Sequence, residues 1–138
     1  MLEAVNASLP SPMKPKILIV DDQADIRRLV RWALEDSPYV IYEAANGALG
    51  LQLAQTVRPD LVLLDVMMPG GMDGLEVCKT LRADPAFANT LIVMLTAAAS
   101  EQDKAEALGL GANFFLAKPF SPAKLLELLG ILLRGRKT

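Results

Sequence analysis

The sequence predicts an α/β fold, a single doubly wound sheet of five parallel strands with helices on both faces. Three observations lead there. Five short runs rich in Val, Ile, Leu or Phe alternate with longer amphipathic stretches, the order expected of repeated βα units. The short runs are apolar almost throughout, as strands are when both faces of their sheet are covered. Right-handed crossovers then leave few topologies.

The elements follow in order. The first strand is Lys16–Val20, and the helix after it spans Gln23–Ser37. In that helix Ile26, Leu29, Val30 and Ala33 share one face, while Arg27, Arg28, Arg31 and Glu35 lie elsewhere. The second strand is Val40–Ala44, with a helix over Gly47–Val57. The third is Asp60–Leu64, with a helix over Gly74–Ala83. The fourth is Leu91–Leu95, with a helix over Glu101–Leu108 that Gly109 and Gly111 bring to a stop. The fifth is Asn113–Ala117. Ser121-Pro122 then reads as an N-cap and a first-turn proline opening a last helix over Pro122–Leu133. One domain therefore fills residues 16–133, between a loose Pro/Ser tail over 1–15 and a short basic tail over 134–138.

Composition narrows the chemistry. The chain of 138 residues carries a formal net charge of −2, so no field draws it to nucleic acid or anionic lipid. No direct nucleic acid binding and no membrane association are expected. No apolar stretch reaches the roughly 18 residues of a membrane helix, and the start lacks the pattern of a signal peptide. A soluble, cytoplasmic chain is the expectation. Cys78 is the sole cysteine, which excludes an internal disulfide. There is no histidine, so imidazole serves here neither as base nor as metal ligand. Chemistry falls to carboxylates, hydroxyls, lysine and backbone.

Ligands of open α/β sheets bind at the carboxyl ends of the strands. There the sequence places Asp21-Asp22, Asp65, Thr96 and Lys118-Pro119, whereas the second strand ends in Ala44-Ala45. Taken singly, each has a plain structural reading as a helix cap, a turn residue or a surface charge. Together, on strand ends, they point to a site. Two carboxylates about 4 Å apart repel by roughly 4 kcal/mol at an effective dielectric near 20. Lys118 offsets part of this, and a hard divalent cation would offset more. Oxygen-only donors point to Mg²⁺, which also favours phosphate oxygens. A carboxylate beside such an ion can act as nucleophile and become an aspartyl phosphate.

The segments ILIVDD (17–22), DLVLLDVMMP (60–69), MDG (72–74), MLTA (94–97), GA (111–112) and FLAKPF (115–120) resemble the receiver domains of bacterial response regulators in two-component signal transduction. The resemblance runs from about Lys16 to Leu133. It implies a flavodoxin-like sheet of strand order 2-1-3-4-5 and a phosphorylation-dependent switch rather than a metabolic enzyme. It implies that Asp65 accepts a phosphoryl group from a sensor histidine kinase or histidine phosphotransfer protein. Asp22 would then bind Mg²⁺ directly, Asp21 through water, and Asp65 and the Met67 backbone carbonyl would complete the metal site. Thr96 would meet the phosphoryl group through its hydroxyl, Lys118 would pair with one of its oxygens, and Lys118–Pro119 would be cis. Phe115 stands at the switch aromatic, where the family often has tyrosine. The loop Pro69-Gly70-Gly71-Met72-Asp73-Gly74 is one residue longer than the family pattern, which either lengthens a surface turn or alters partner contact.

Two other functions fit some of these residues. A Mg²⁺-dependent phosphatase with an aspartyl nucleophile lacks here a cap domain and a general acid two residues after Asp65, where Met67 sits. A receiver-like scaffold that is never phosphorylated has no need of the full Asp/Asp/Asp/Thr/Lys set. Cys78, at helical spacing from Leu75 and Leu81, reads as core. Trp32 reads as cover for the last helix. That helix is more apolar than one stripe requires: beyond Leu125, Leu128, Leu129 and Leu132 it carries Leu126 and Leu133 on a flank. The fourth helix, fifth strand and fifth helix are therefore the expected surface for a downstream partner or a homodimer.

Overall fold

The computed structural model describes residues 14–97 and 101–134, apart from the side chains of 101 and 103. The expected tail over 1–15 lies outside the described residues except for Lys14 and Pro15, as do Arg136 and Lys137. The chain runs β1 (Lys16–Val20), α1 (Ala24–Ala33), β2 (Val40–Ala44), α2 (Gly47–Val57), β3 (Leu61–Asp65), α3 (Gly74–Ala83), a short 3₁₀ turn (Pro85–Phe87), β4 (Leu91–Thr96), α4 (Glu101–Gly109), β5 (Phe114–Ala117) and α5 (Pro122–Arg134). The strands form one parallel sheet in the order β2-β1-β3-β4-β5, as the resemblance implies.

Strand alternation sorts the core into two halves. Leu18, Val20, Val62, Leu64, Ile92 and Met94 pack on one face with Ala54 of α2, Val77, Cys78 and Leu81 of α3, and Ala107 of α4. Ile17, Ile19, Leu61, Leu63, Val93, Leu95 and Leu116 pack on the other with Val30 of α1 and Leu125 and Leu129 of α5. Every residue of β3 is buried, which is why its sequence shows no polar alternation. Cys78 is free and buried, a core residue as expected.

Several element ends differ from the sequence reading for local reasons. Helix α1 stops at Ala33 instead of Ser37. The Ser37 hydroxyl donates to the Leu34 carbonyl at 2.6 Å, and Pro38 disfavours helix at the residue before it. Asp60 falls outside β3: its carboxylate accepts from the Lys16 N–H at 2.8 Å. Asn46 and Asp73 cap α2 and α3 through their side chains, at Leu49 N and Glu76 N. Ser121 does the same for α5 at Lys124 N. The Lys118–Pro119 bond is cis.

Arg82, near the end of α3, forms a hub. Its guanidinium donates to the carbonyls of Gly111, Phe87 and Thr90 and to Asn113 Oδ1, at 2.7–2.8 Å. These acceptors surround the amino ends of β4 and β5. Gly111 has a φ of +104°, and a Cβ there would meet Arg82 Cγ at 2.6 Å.

The surplus apolar residues of α5 divide. Leu133 packs against the second core half. Leu126 faces α1 and, with Trp32, Ala33, Pro122 and Ala123, lines a groove of about 410 Å³. Trp32 is 64% exposed, so it flanks α5 without covering it. On the α4–β5 side, Leu108 and Phe114 are the exposed large apolar residues among those described.

Candidate functional site

The sheet order sets β1 beside β3 and β3 beside β4. Asp21, Asp65 and Thr96 thus leave three adjacent strands at one edge. Asp65 is paired with Leu95 in the ladder, and the Val66 N–H returns to the Leu95 carbonyl at 2.9 Å. Thr96 ends β4 with its side chain buried, and its carbonyl accepts from the Lys118 N–H at 2.7 Å. Gly74 lets α3 start against Asp65: a Cβ at this position would lie 2.0 Å from the Asp65 carbonyl oxygen.

Asp21, Asp22 and Asp65 each bring a carboxylate oxygen within 4.8 Å of the others. Asp21 is fully buried, Asp65 nearly so, and Asp22 is exposed. Lys118 Nζ stands 2.9 Å from Asp21 Oδ2 and 3.3 Å from Asp65 Oδ1. It also donates to Gln23 Oε1 at 3.0 Å. The Gln23 N–H donates to Asp21 Oδ1 at 2.9 Å, and the Met67 N–H to Asp65 Oδ1 at 3.3 Å. The Met67 side chain points to solvent. Arg27 donates to the Asp21 carbonyl at 2.7 Å and pairs with Glu43 at 3.0 Å.

The electrostatics are under-compensated. Burial and the adjacent Asp21 carboxylate push Asp65 up to about 6, against the pull of Lys118 and the Met67 N–H. Asp21 Oδ2 is buried with no hydrogen bond. The Lys118 ammonium is close enough for charge pairing but lies off the hydrogen-bonding direction, so this oxygen still has capacity for another positive partner. Three carboxylates cluster, one amine pairs with two of them, and the donors are oxygen only. That set fits a hard divalent cation.

Asp21, Asp22, Asp65 and Lys118 come together here, and Thr96 is joined to them through its carbonyl, which accepts from the Lys118 N–H. Phe115 lies nearby on the sheet face shared with Thr96: Met94 is opposite Phe115, and Thr96 is opposite Ala117. Two contributors escaped the sequence reading. Gln23 is a third partner of Lys118, and Arg27 fixes the Asp21 backbone. Only adjacency to Asp21-Asp22 could have marked Gln23, and Arg27 looked like one charge among several on α1.

Residues 17–130 match the family described as response regulator receiver domain. The alkaline phosphatase synthesis transcriptional regulatory protein PhoP of Bacillus subtilis is 46% identical over 110 residues, covering 80% of this chain and 45% of that protein. RpaA of Synechocystis, described as a DNA-binding dual master transcriptional regulator, is 41% identical over 87% of this chain and 49% of its own length. The solved structure of the Vibrio cholerae chemotaxis protein CheY4 superposes with a TM-score of 0.83 at 39% identity, covering 88% of this chain and 100% of that one. The chain spans about half the length of the curated relatives it matches.

These relatives correct one expectation. Nucleic acid was set aside because the segment is slightly acidic. Yet PhoP and ResD are named as transcriptional regulatory proteins and RpaA as DNA-binding. The net charge of a segment describes its own surface, and in these relatives such a segment is about half of the protein. Among the described residues no helix is long and apolar enough to cross a membrane. From the strand order, the acidic pocket and the match over residues 17–130, this chain belongs to the receiver domains of two-component response regulators.

Proposed function

We propose that the chain is switched by phosphorylation of Asp65, with a phosphohistidine of a sensor kinase or phosphotransfer protein as donor. The observation that carries this reading is the Lys118 ammonium set between Asp21 and Asp65 at 2.9 and 3.3 Å. Both partners of Asp65 fall on Oδ1, which leaves Oδ2 to attack phosphorus. An O–P bond forms, the P–N bond to the donor imidazole breaks, and its electron pair returns to the ring nitrogen. This chain has no histidine, so the donor ring belongs to another molecule. Bound Mg²⁺, held by Asp21, Asp22, Asp65 and the Met67 carbonyl, would supply the positive charge that carboxylates and phosphoryl oxygens together require. Lys118 sits where it can take up a phosphoryl oxygen. The chain turns over only its own phosphoryl group, which water later removes, and it does so in the cytoplasm.

The response runs through Thr96 and Phe115. The phosphoryl group adds charge and acceptor oxygens. The Thr96 hydroxyl moves toward them, and the Phe115 ring turns into the space behind it. The surface of α4, β5 and α5 then changes for a partner or a second copy, with Leu108, Phe114, Leu126 and Ile131 as the exposed large apolar residues among those described. The transcriptional and DNA-binding relatives support a nucleic acid output of the whole protein.

Incubation with acetyl phosphate and Mg²⁺ should give a single base-labile adduct on Asp65, read by mass spectrometry. Asp65→Asn or removal of Mg²⁺ should abolish it. An adduct on Ser, Thr or another Asp would refute the assignment.

A further inference from the structure

Helix α4 covers the sheet face that carries Thr96 and Phe115, yet it is held there lightly. Of its described side chains only Ala107 is buried. Lys104 lies one turn before Ala107 and so on the same side of the helix. Its Nζ stands 4.7 Å from the centroid of the Phe115 ring, inside the roughly 6 Å reach of a cation–π contact. The ring is half-buried against the first core half and stacked at 6.1 Å on Phe114. Without a hydroxyl, Phe115 offers its neighbours a π face and no hydrogen bond. The Lys104 ammonium meets that face.

We propose that Lys104 is a positioning residue that holds the Phe115 ring in its half-open resting place and thereby ties α4 to the phosphorylation site. The proposal rests on the reading of Thr96 and Phe115 as the switch pair. Turning the ring toward Thr96 takes it off the ammonium, so the contact weights the resting side of the equilibrium. At a partly exposed site such a contact changes an equilibrium by about two- to fivefold. The effect follows charge, so arginine preserves it and methionine, of similar reach, removes it. A ligand that binds the inward state tightens by the factor through which that state gains population.

The test uses the whole chain with ¹³C-labelled phenylalanine, comparing the unmodified protein with Lys104→Met and Lys104→Arg. Two quantities are read: the Phe115 ring resonances without ligand, and the apparent Kd for beryllofluoride in the presence of Mg²⁺. Lys104→Met should move the free-state resonances part of the way toward their beryllofluoride positions and lower the Kd about two- to fivefold. Lys104→Arg should stay near the unmodified chain in both. If the ring responds to beryllofluoride in the unmodified chain and Lys104→Met changes neither quantity, the role of Lys104 falls and the switch pair stands. If the unmodified ring ignores beryllofluoride, the switch pair falls and takes this role with it.

Discussion

Burial and the Asp21 carboxylate lift Asp65 to about 6, and the direction of that shift sets a dependence of stability on pH. The unfolded carboxyl titrates near 3.9, so between about pH 4 and 6 the folded chain binds the extra proton. The contribution of Asp65 is fully present below about pH 4 and is lost as pH rises through about 6. In cation-free buffer, Asp65→Asn should therefore gain stability over the unmodified chain as pH rises from 4 to 7. The gain should be on the order of 2 kcal/mol after allowance for solvent screening. Urea titration of both chains reads it, and a difference independent of pH would count against the shift. Mg²⁺ should stabilise the unmodified chain more than the variant, because a ligand of the native state shifts unfolding by mass action. The carboxylates, Thr96 and Lys118 were legible because each interrupts or ends an apolar run. Gln23 was not: a polar residue at a helix start looks the same whether it meets water or an ammonium.

At the scale of elements, the register of α3 against β3 depends on one missing side chain. Because a Cβ at position 74 would lie 2.0 Å from the Asp65 carbonyl oxygen, Gly74→Ala should push the start of α3 away from the strand. The expected loss is about 1–3 kcal/mol of stability, with slower phosphorylation by acetyl phosphate because the Asp65 backbone moves too. Retention of both would show that α3 shifts without disturbing the site. The longer turn nearby behaves differently. Gly70 and Gly71 both have positive φ, with open space where a Cβ would be, so this turn can lengthen or shorten without touching the core. Strands and helices were legible from their periods and their Gly, Pro and Ser punctuation. Their exact ends were not, because they are settled by single hydrogen bonds such as Ser37 to Leu34 and Asp60 to Lys16.

For the whole molecule, the strict strand–helix alternation made the fold class legible, while strand order came through resemblance, since periodicity does not say which strands are neighbours. The distribution of the α5 leucines was not legible either, because a helical wheel has no knowledge of α1. The two core halves share the same strands, so they should melt together. Leu129→Ala, at a fully buried position on the inner face of α5, should cost about 2–5 kcal/mol and leave secondary-structure and tryptophan signals on one unfolding curve. Two separate curves would show that the halves are independent. The Arg82 hub has a mechanical consequence. It rivets the amino ends of β4 and β5 to α3, while Thr96 and Lys118 lie at the opposite ends, beside the acidic pocket. If Asp65 is phosphorylated as proposed, Arg82 would act as a fulcrum: a pull at the acidic rim would turn the carboxyl ends of β4 and β5 about their anchored amino ends.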